Sequence, residues 1–312
     1  MKKAFLIVAL TLFVQLNAQV NKDSVFSFTY NDDVMITVDY PKELNEKKNT
    51  QIVFYALPNG NSTEQTMGKP LQKDDDWHFD IQHIAAQTKF VRQKLANENL
   101  VVVYVENKLK AWPQWKRTHA NYKQQITAII DTSIAVLKLK KYSIHLNGHS
   151  GGGAFIFGYI EGKDKIPATV KRISFLDSNY GYDSSFTQKF TDWLKGSSTR
   201  YLTVFAYNDS VALYNQKPVV SATGGTWYRT HLMMHNFYPA FVFDVLTENE
   251  IEHYYAFNRQ INIFLKENPK REILHTKQVE LNGFIHSLLL NTRYESDGYE
   301  YYGQRVYNAL IQ

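Results

Sequence analysis

The residues with the clearest capacity for chemistry lie in one stretch, 142–153, Tyr-Ser-Ile-His-Leu-Asn-Gly-His-Ser-Gly-Gly-Gly. Tyr142, Ile144 and Leu146 give a short alternating, strand-like run. It meets Gly148-His149-Ser150-Gly151-Gly152, a Gly-x-Ser-x-Gly match, and the apolar run Ala154, Phe155, Ile156, Phe157 and Tyr159 follows with helical character. A serine on a sharp turn between strand and helix is held with its hydroxyl in the open, where a base can activate it for attack on an acyl carbon. The turn demands small residues two positions either side of the serine, because the strand and helix backbones approach closely there. The competing reading is a glycine-rich turn whose serine merely caps the helix, and the rest of the chain has to decide between them.

The elements needed to hold such a turn are legible along most of the chain. Ser24–Tyr30 and Val34–Tyr40 alternate apolar and polar residues around Asn31-Asp32-Asp33, which predicts a hairpin. Gln51–Leu57 and Leu100–Val105 are continuous apolar runs, as expected of strands buried on both faces. Helical spacing marks 79–97 and 121–139. A strand at Arg172–Leu176, a helix at Ser184–Lys195 stopped by Gly196, and a strand at Tyr201–Tyr207 come after the serine turn. Residues 210–246 show no clean period. Thr247-x-x-Glu250 matches a capping box and predicts a helix to about 267. Leu274–Leu281 then reads as a last strand and 302–311 as a short helix. Strands alternating with helices imply a mostly parallel sheet covered on both faces.

Composition narrows the class. The chain has 312 residues, 44% of them hydrophobic, enough for one large α/β domain with a sizeable core. Residues 1–18 read as a signal peptide: Lys2 and Lys3, an apolar run Ala4 to Val14, and Asn17-Ala18 as the cleavage point. The predicted organisation is thus a signal at 1–18 and one domain at 19–312, exported to the periplasm or outside the cell. The apolar run is too short for an ordinary membrane span, and no later stretch approaches spanning length. There is no cysteine, so a thiol nucleophile is excluded. With Lys2 and Lys3 removed from the 35 basic residues against 30 acidic ones, the remainder carries only about +3, which does not argue for nucleic acid.

In its order of elements, with Gly148-His149-Ser150-Gly151-Gly152 after the fifth of eight strands and His286 after the eighth, the chain resembles the α/β-hydrolase superfamily over nearly all of 24–312. The resemblance implies an α/β-hydrolase fold with an eight-stranded, mostly parallel sheet, and a cap-like insertion at 210–246 after the seventh strand. It also implies the chain order Ser, acid, His for a catalytic triad. Ser150 is then the nucleophile and His286, in Asn282-Gly283-Phe284-Ile285-His286, the base; His275 is placed inside the last strand and His149 beside the serine as a packing residue. Asp209, after the seventh strand, is the favoured acid, with Asp177, after the sixth, as the alternative. The oxyanion donors are expected to be the amide of Gly151 and that of Asn59 or Gly60 in Pro58-Asn59-Gly60-Asn61, since Pro58 has no N–H. Trp112, Trp115, Trp227 and Tyr228, on predicted loops at the C-terminal edge of the sheet, are candidates with His149 to line a substrate groove. His231 and His235 are spaced i, i+4, but no third ligand is evident, so no metal and no cofactor are expected. The expected activity is a secreted or periplasmic serine hydrolase acting on carboxylic esters, on small molecules or linked to polysaccharide. A serine peptidase, a lipase and a catalytically idle binding protein on the same fold are the alternatives.

Overall fold

The computed structural model describes residues 24–312. The signal segment expected at 1–18 lies outside the described residues.

A single mixed sheet organises the chain. Its strands are β1 (Val25–Tyr30), β2 (Val34–Asp39), β3 (Thr50–Ala56), β4 (Asn99–Asn107), β5 (Tyr142–His149), β6 (Val170–Leu176) and β7 (Tyr201–Tyr207). After a two-residue hairpin, β8 (Leu213–Tyr214) and β9 (Lys217–Pro218), come β10 (Phe243–Glu248), β11 (Ile251–Ala256) and β12 (Ile261–Lys266). The main sheet has ten strands in the order β1-β2-β4-β3-β5-β6-β7-β12-β11-β10. The centre, from β4 through β3, β5, β6 and β7 to β12, is parallel; the two edges, β1-β2 and β11-β10, are antiparallel hairpins. The helices are α1 (Thr63–Met67), α2 (Ile84–Lys94), α3 (Trp112–Thr118), α4 (Tyr122–Leu137), α5 (Gly153–Glu161), α6 (Thr187–Lys195), α7 (Thr226–Phe237), α8 (Lys277–Glu280) and α9 (Gly283–Leu289).

Both faces of the sheet are covered. On one, side chains such as Ile52, Phe54, Leu146, Ile173 and Val204 pack against Trp112, Ile126, Phe155, Phe190 and Met233 from α3 to α7. On the other, Val53, Tyr55, Val102, Phe205 and Phe264 pack against α2, α9 and Tyr299, Tyr301 and Tyr307 of the C-terminal segment. Alternate residues of one strand serve the two cores, which is why the central strands read as unbroken apolar runs. Within the stretch 210–246, α7 packs on the sheet through Met233, Met234 and Phe237 and is part of the first core.

Three expected elements after residue 246 do not form. The helix expected from 247 to about 267 is the β10–β11–β12 meander. Asn249 and Glu250, which looked like part of a capping box, take φ of 51° and 59°, the mirror-image turn that joins two strands directly, and Glu248 pairs with Ile251. A second turn puts Phe257, Asn258 and Arg259 at φ of 52°, 54° and 60°, which no α-helix tolerates. The strand expected at Leu274–Leu281 is a loop followed by the single turn α8, so β12 takes the place beside β7, and the sheet holds ten strands rather than eight. The C-terminal helix expected at 302–311 is one 3₁₀ turn, Asn308–Leu310.

Trp112 and Trp115, placed on a groove-lining loop from sequence, are on α3 and fully buried, meeting edge-on at 5.2 Å. The Trp112 indole donates to the Val105 carbonyl at 3.3 Å and the Trp115 indole to Asp33, so their polar ends are satisfied inside the core. Trp115→Ala is therefore expected to lower the unfolding free energy by roughly 3–5 kcal/mol, as for other buried aromatic truncations, measured by urea denaturation. A variant of unchanged stability would show that this ring is not a core element.

Candidate functional site

The turn after β5 is built as its composition demands. Ser150 sits at φ 54°, in the left-handed region that a non-glycine residue rarely occupies. The glycines around it are set by contact. A Cβ on Gly148 would stand 3.2 Å from the Ala56 carbonyl oxygen, one on Gly152 would collide with that same oxygen, and one on Gly153 with the Ser178 carbonyl oxygen. A Cβ on Gly151 would enter the carboxamide of Asn59. The elbow is thus pressed between the end of β3 and the loop after β6. The Ser178 hydroxyl ties that loop down by donating to the Gly148 carbonyl at 2.9 Å.

Beside the serine lies a cavity of about 410 Å³ lined by Asn59, Pro113, Ser150, Gly151, Ser178 and Tyr180 among others. None of the five side chains expected to line it does so. Trp112 and Trp115 are core, and His149 is buried behind the elbow. Trp227, at the start of α7, leans on the first core with its ring 4.8 Å from His231, and Tyr228 is on the exposed side of the same helix. Pro113, between the two tryptophans, and Tyr180, three residues past Asp177, supply the wall instead. Of the two donors suggested in the β3 loop, the Gly60 amide already bonds the Lys110 carbonyl at 2.7 Å, whereas Asn59 is in direct contact with Gly151.

The structure pairs a histidine with a carboxylate at this same edge, and it is His275 with Asp177. The His275 Nδ1 hydrogen-bonds Asp177 Oδ2, and Asp177, immediately after β6, is fully buried. His275 comes from the loop after β12. The His149 imidazole holds it from the elbow side: Nε2 of His149 meets the His275 carbonyl at 3.2 Å and the two rings lie 4.5 Å apart. Tyr180, of the cavity wall, is edge-on to His275 at 6.3 Å. Burial depresses the His149 imidazole far below the usual histidine range, so it stays neutral and acts as donor to that carbonyl. Among the described residues no side chain bonds the Ser150 hydroxyl; catalytic hydrogen bonds often form only once substrate is bound.

The sequence-favoured partners lie elsewhere. His286 is on α9, packed against the second face of the sheet among Phe205, Phe264 and Tyr301, with Nδ1 3.0 Å from the Tyr299 hydroxyl. Among the described residues no carboxylate hydrogen-bonds it, and burial drives its pKa down to about 3. It follows α8 rather than a strand, because the eighth position in the sheet belongs to β12. In the loop after that strand lies His275, within the stretch 274–281 where the expected strand does not form. Asp209 follows β7 as expected, but its carboxylate accepts from the backbone amides of Thr226 at 2.8 Å and Trp227 at 3.3 Å, capping α7. Thr226 joins the two acids: its hydroxyl donates to Asp177 and stands 3.3 Å from Asp209 Oδ2.

No family model matches the chain, and no curated protein matches it. Among solved structures, similarity extends to a thermostable esterase, with 12% identity over 81% of this chain at a TM-score of 0.48; the chain spans 57% of that esterase's length. A mutant feruloyl esterase module from Clostridium thermocellum complexed with sinapinate gives 11% identity, 88% and 95% coverage and a TM-score of 0.49. An acetyl xylan esterase from Aspergillus awamori gives 10%, 78% and 93%, and 0.46.

Burial first, and the neighbouring Asp177 second, raise the Asp209 carboxyl to about 6. Its pKa is thus higher folded than unfolded, so the folded state holds the extra proton more tightly, and stability falls as pH rises from roughly 4 to 6. Asp209→Asn removes this dependence and should flatten the curve in that window by an amount on the order of 2 kcal/mol. Urea titrations at several pH values check it, and an unchanged slope would contradict the burial of this carboxyl. The strand order β1-β2-β4-β3-β5-β6-β7-β12, with the strained serine turn after β5, an acid after β6 and a histidine in the loop after β12, makes this an α/β-hydrolase fold.

Proposed function

We propose that the protein is a serine hydrolase that cleaves carboxylic esters, with Ser150 as nucleophile, His275 as base and Asp177 as the acid that orients it. The observation that carries this is the His275–Asp177 hydrogen bond at the strand edge where Ser150 is held in a strained turn. Asp177 engages Nδ1, which leaves Nε2 to take the serine proton. The Ser150 oxygen then attacks the ester carbonyl carbon, and the amides of Gly151 and Asn59 receive the negative charge that develops on the carbonyl oxygen. Collapse returns the proton from His275 to the departing alcohol oxygen and leaves an acyl-serine. Water, deprotonated by the same imidazole, releases the acid and restores the serine.

The acyl group enters the cavity between Asn59, Pro113 and Tyr180. With Trp112 and Trp115 in the core, the aromatic walls that pointed to carbohydrate-linked or aromatic esters reduce to Tyr180, so a short or single-ring acyl group is the substrate class this cavity favours. Export through the segment at 1–18 remains part of the proposal.

Ser150→Ala should abolish hydrolysis of para-nitrophenyl acetate in a protein that stays folded, and a fluorophosphonate probe should label Ser150. Asp177→Asn should reduce kcat by about 10⁴, the cost of the wrong histidine tautomer in a known triad, with His275→Ala at least as severe, while Asp209→Asn stays within about tenfold of wild type. Steady-state kinetics of the four variants tests the assignment: full activity in His275→Ala would sink it, and no adduct at Ser150 would leave the binding-protein alternative standing.

A further inference from the structure

Asp177 is fully buried, yet only two groups among the described residues hold its carboxylate. The Thr226 hydroxyl donates to Oδ1, and the His275 imidazole meets Oδ2. Asp209 has two backbone amides on its oxygens, and no backbone amide does the same for Asp177. The Asp177 backbone, at φ 46°, has already left the line of β6, so strand geometry does not aim the side chain. A carboxylate turns readily about its last side-chain bond, because that torsion has broad wells. The imidazole alone would leave it soft. A second contact, on the other oxygen, closes it.

Thr226 is placed to make that contact and no other. It is the first residue of α7, fully buried, and its two donors are divided between the two acids. The amide goes to Asp209 Oδ2 at 2.8 Å and the hydroxyl to Asp177. The hydroxyl stands 3.3 Å from Asp209 as well, but its one hydrogen serves one acid. α7 is bonded twice more to the loop after β6. Asn179 donates to the Thr230 hydroxyl at 3.0 Å, and the Arg229 guanidinium to the Tyr182 carbonyl at 3.0 Å. Its other contacts, through Met233, Met234 and Phe237, are with the first core. Part of the stretch that looked like a cap in the sequence is thus a strut from the core to the acid.

We propose that Thr226 is a positioning residue of the hydrolytic site, its hydroxyl fixing the Asp177 carboxylate so that Oδ2 faces His275. The proposal rests on the assignment of Asp177 and His275 as acid and base. With Oδ1 pinned, the imidazole keeps its proton on Nδ1 and leaves Nε2 free to accept the proton of Ser150. Without the hydroxyl, the carboxylate turns and both tautomers of the ring become populated.

Thr226→Val tests this, since it keeps the shape of the side chain and the backbone amide that caps onto Asp209. Its kcat on para-nitrophenyl acetate should fall about tenfold to a hundredfold, the range for losing one hydrogen bond to a charged group, with KM within about twofold of wild type. Thr226→Ser should restore kcat to within about threefold. Nitrogen NMR of the histidine rings reads the same effect without turnover: neutral His275 should carry its proton on Nδ1 in wild type and Thr226→Ser and on a mixture of both nitrogens in Thr226→Val. Unchanged kcat and tautomer in Thr226→Val would overturn the proposal, and so would a serine variant as impaired as the valine one. A wild-type protein with no ester turnover and no fluorophosphonate adduct would overturn the esterase reading instead, and the tautomer comparison would still decide whether Thr226 fixes the acid.

Discussion

The close approach of three backbones at the elbow is the constraint on which the site depends. Gly152 lies against the carbonyl of Ala56, Gly153 against that of Ser178, and Gly151 against the side chain of Asn59. Each contact would be destroyed by a single methyl group. Together they press the serine turn between the end of β3 and the loop after β6, and they leave Ser150 at φ 54° because the residues on either side have no freedom to relax it. The same contacts bring Asn59 beside Gly151 and Ser178 beside the serine. The pieces of the proposed acyl-transfer site are thus assembled by the packing that closes the fold, before any hydrogen bond between them is counted.

Legibility in the sequence followed the strength of periodic burial. The five parallel strands from β3 to β7 are buried on both faces, and each lies where the sequence predicts a strand, with the serine turn after β5 and the two aspartates after β6 and β7. The edge meander did not. β10 is largely exposed and β11 half-buried, so their side chains carry little alternation, and isolated apolar residues fell by chance at helical spacing. Thr247 and Glu250 had the residue types of a capping box, but Asn249-Glu250 is a two-residue turn. An Asn in such a pair is a turn signal as well as a cap signal, and only the pairing of Glu248 with Ile251 separates the two. Losing β12 shifted the count of strands, and with it the expected base fell on His286 rather than on His275, the base proposed above.

The two aspartates show why strand-end position alone could not choose between them for the acid of the proposed triad. Both carboxylates are buried at adjacent strand ends and share the hydroxyl of Thr226. What separates them is the second partner of each. Asp209 faces the first amides of α7, where a carboxylate is the natural complement of unpaired N–H groups and the positive end of the helix. Asp177 faces an imidazole. The Gly224-Gly225-Thr226 run is the sequence trace of this division. A Cβ on Gly225 would overlap the Asp209 carboxylate, so the glycine marks where the start of α7 is drawn onto that acid.

Placement of His275 is a matter of polar tethering rather than of strand geometry. Asn268, just beyond β12, donates to the carbonyls of Asn208 at 3.1 Å and Glu272 at 2.8 Å and accepts from the Glu272 amide at 3.0 Å, which folds the loop back onto the end of β7. His149 then holds the His275 carbonyl from the elbow, and Asp177 holds its ring from β6. The loop that carries the imidazole is tied to groups at the ends of β5, β6 and β7, so its backbone need not be regular at all. A loop of this kind has no period for sequence reading to detect, yet it is rigid where it matters, because each of its three anchors is a hydrogen bond to an element already locked in the sheet. The proposed hydrolytic site therefore inherits its precision from the parallel centre of the sheet.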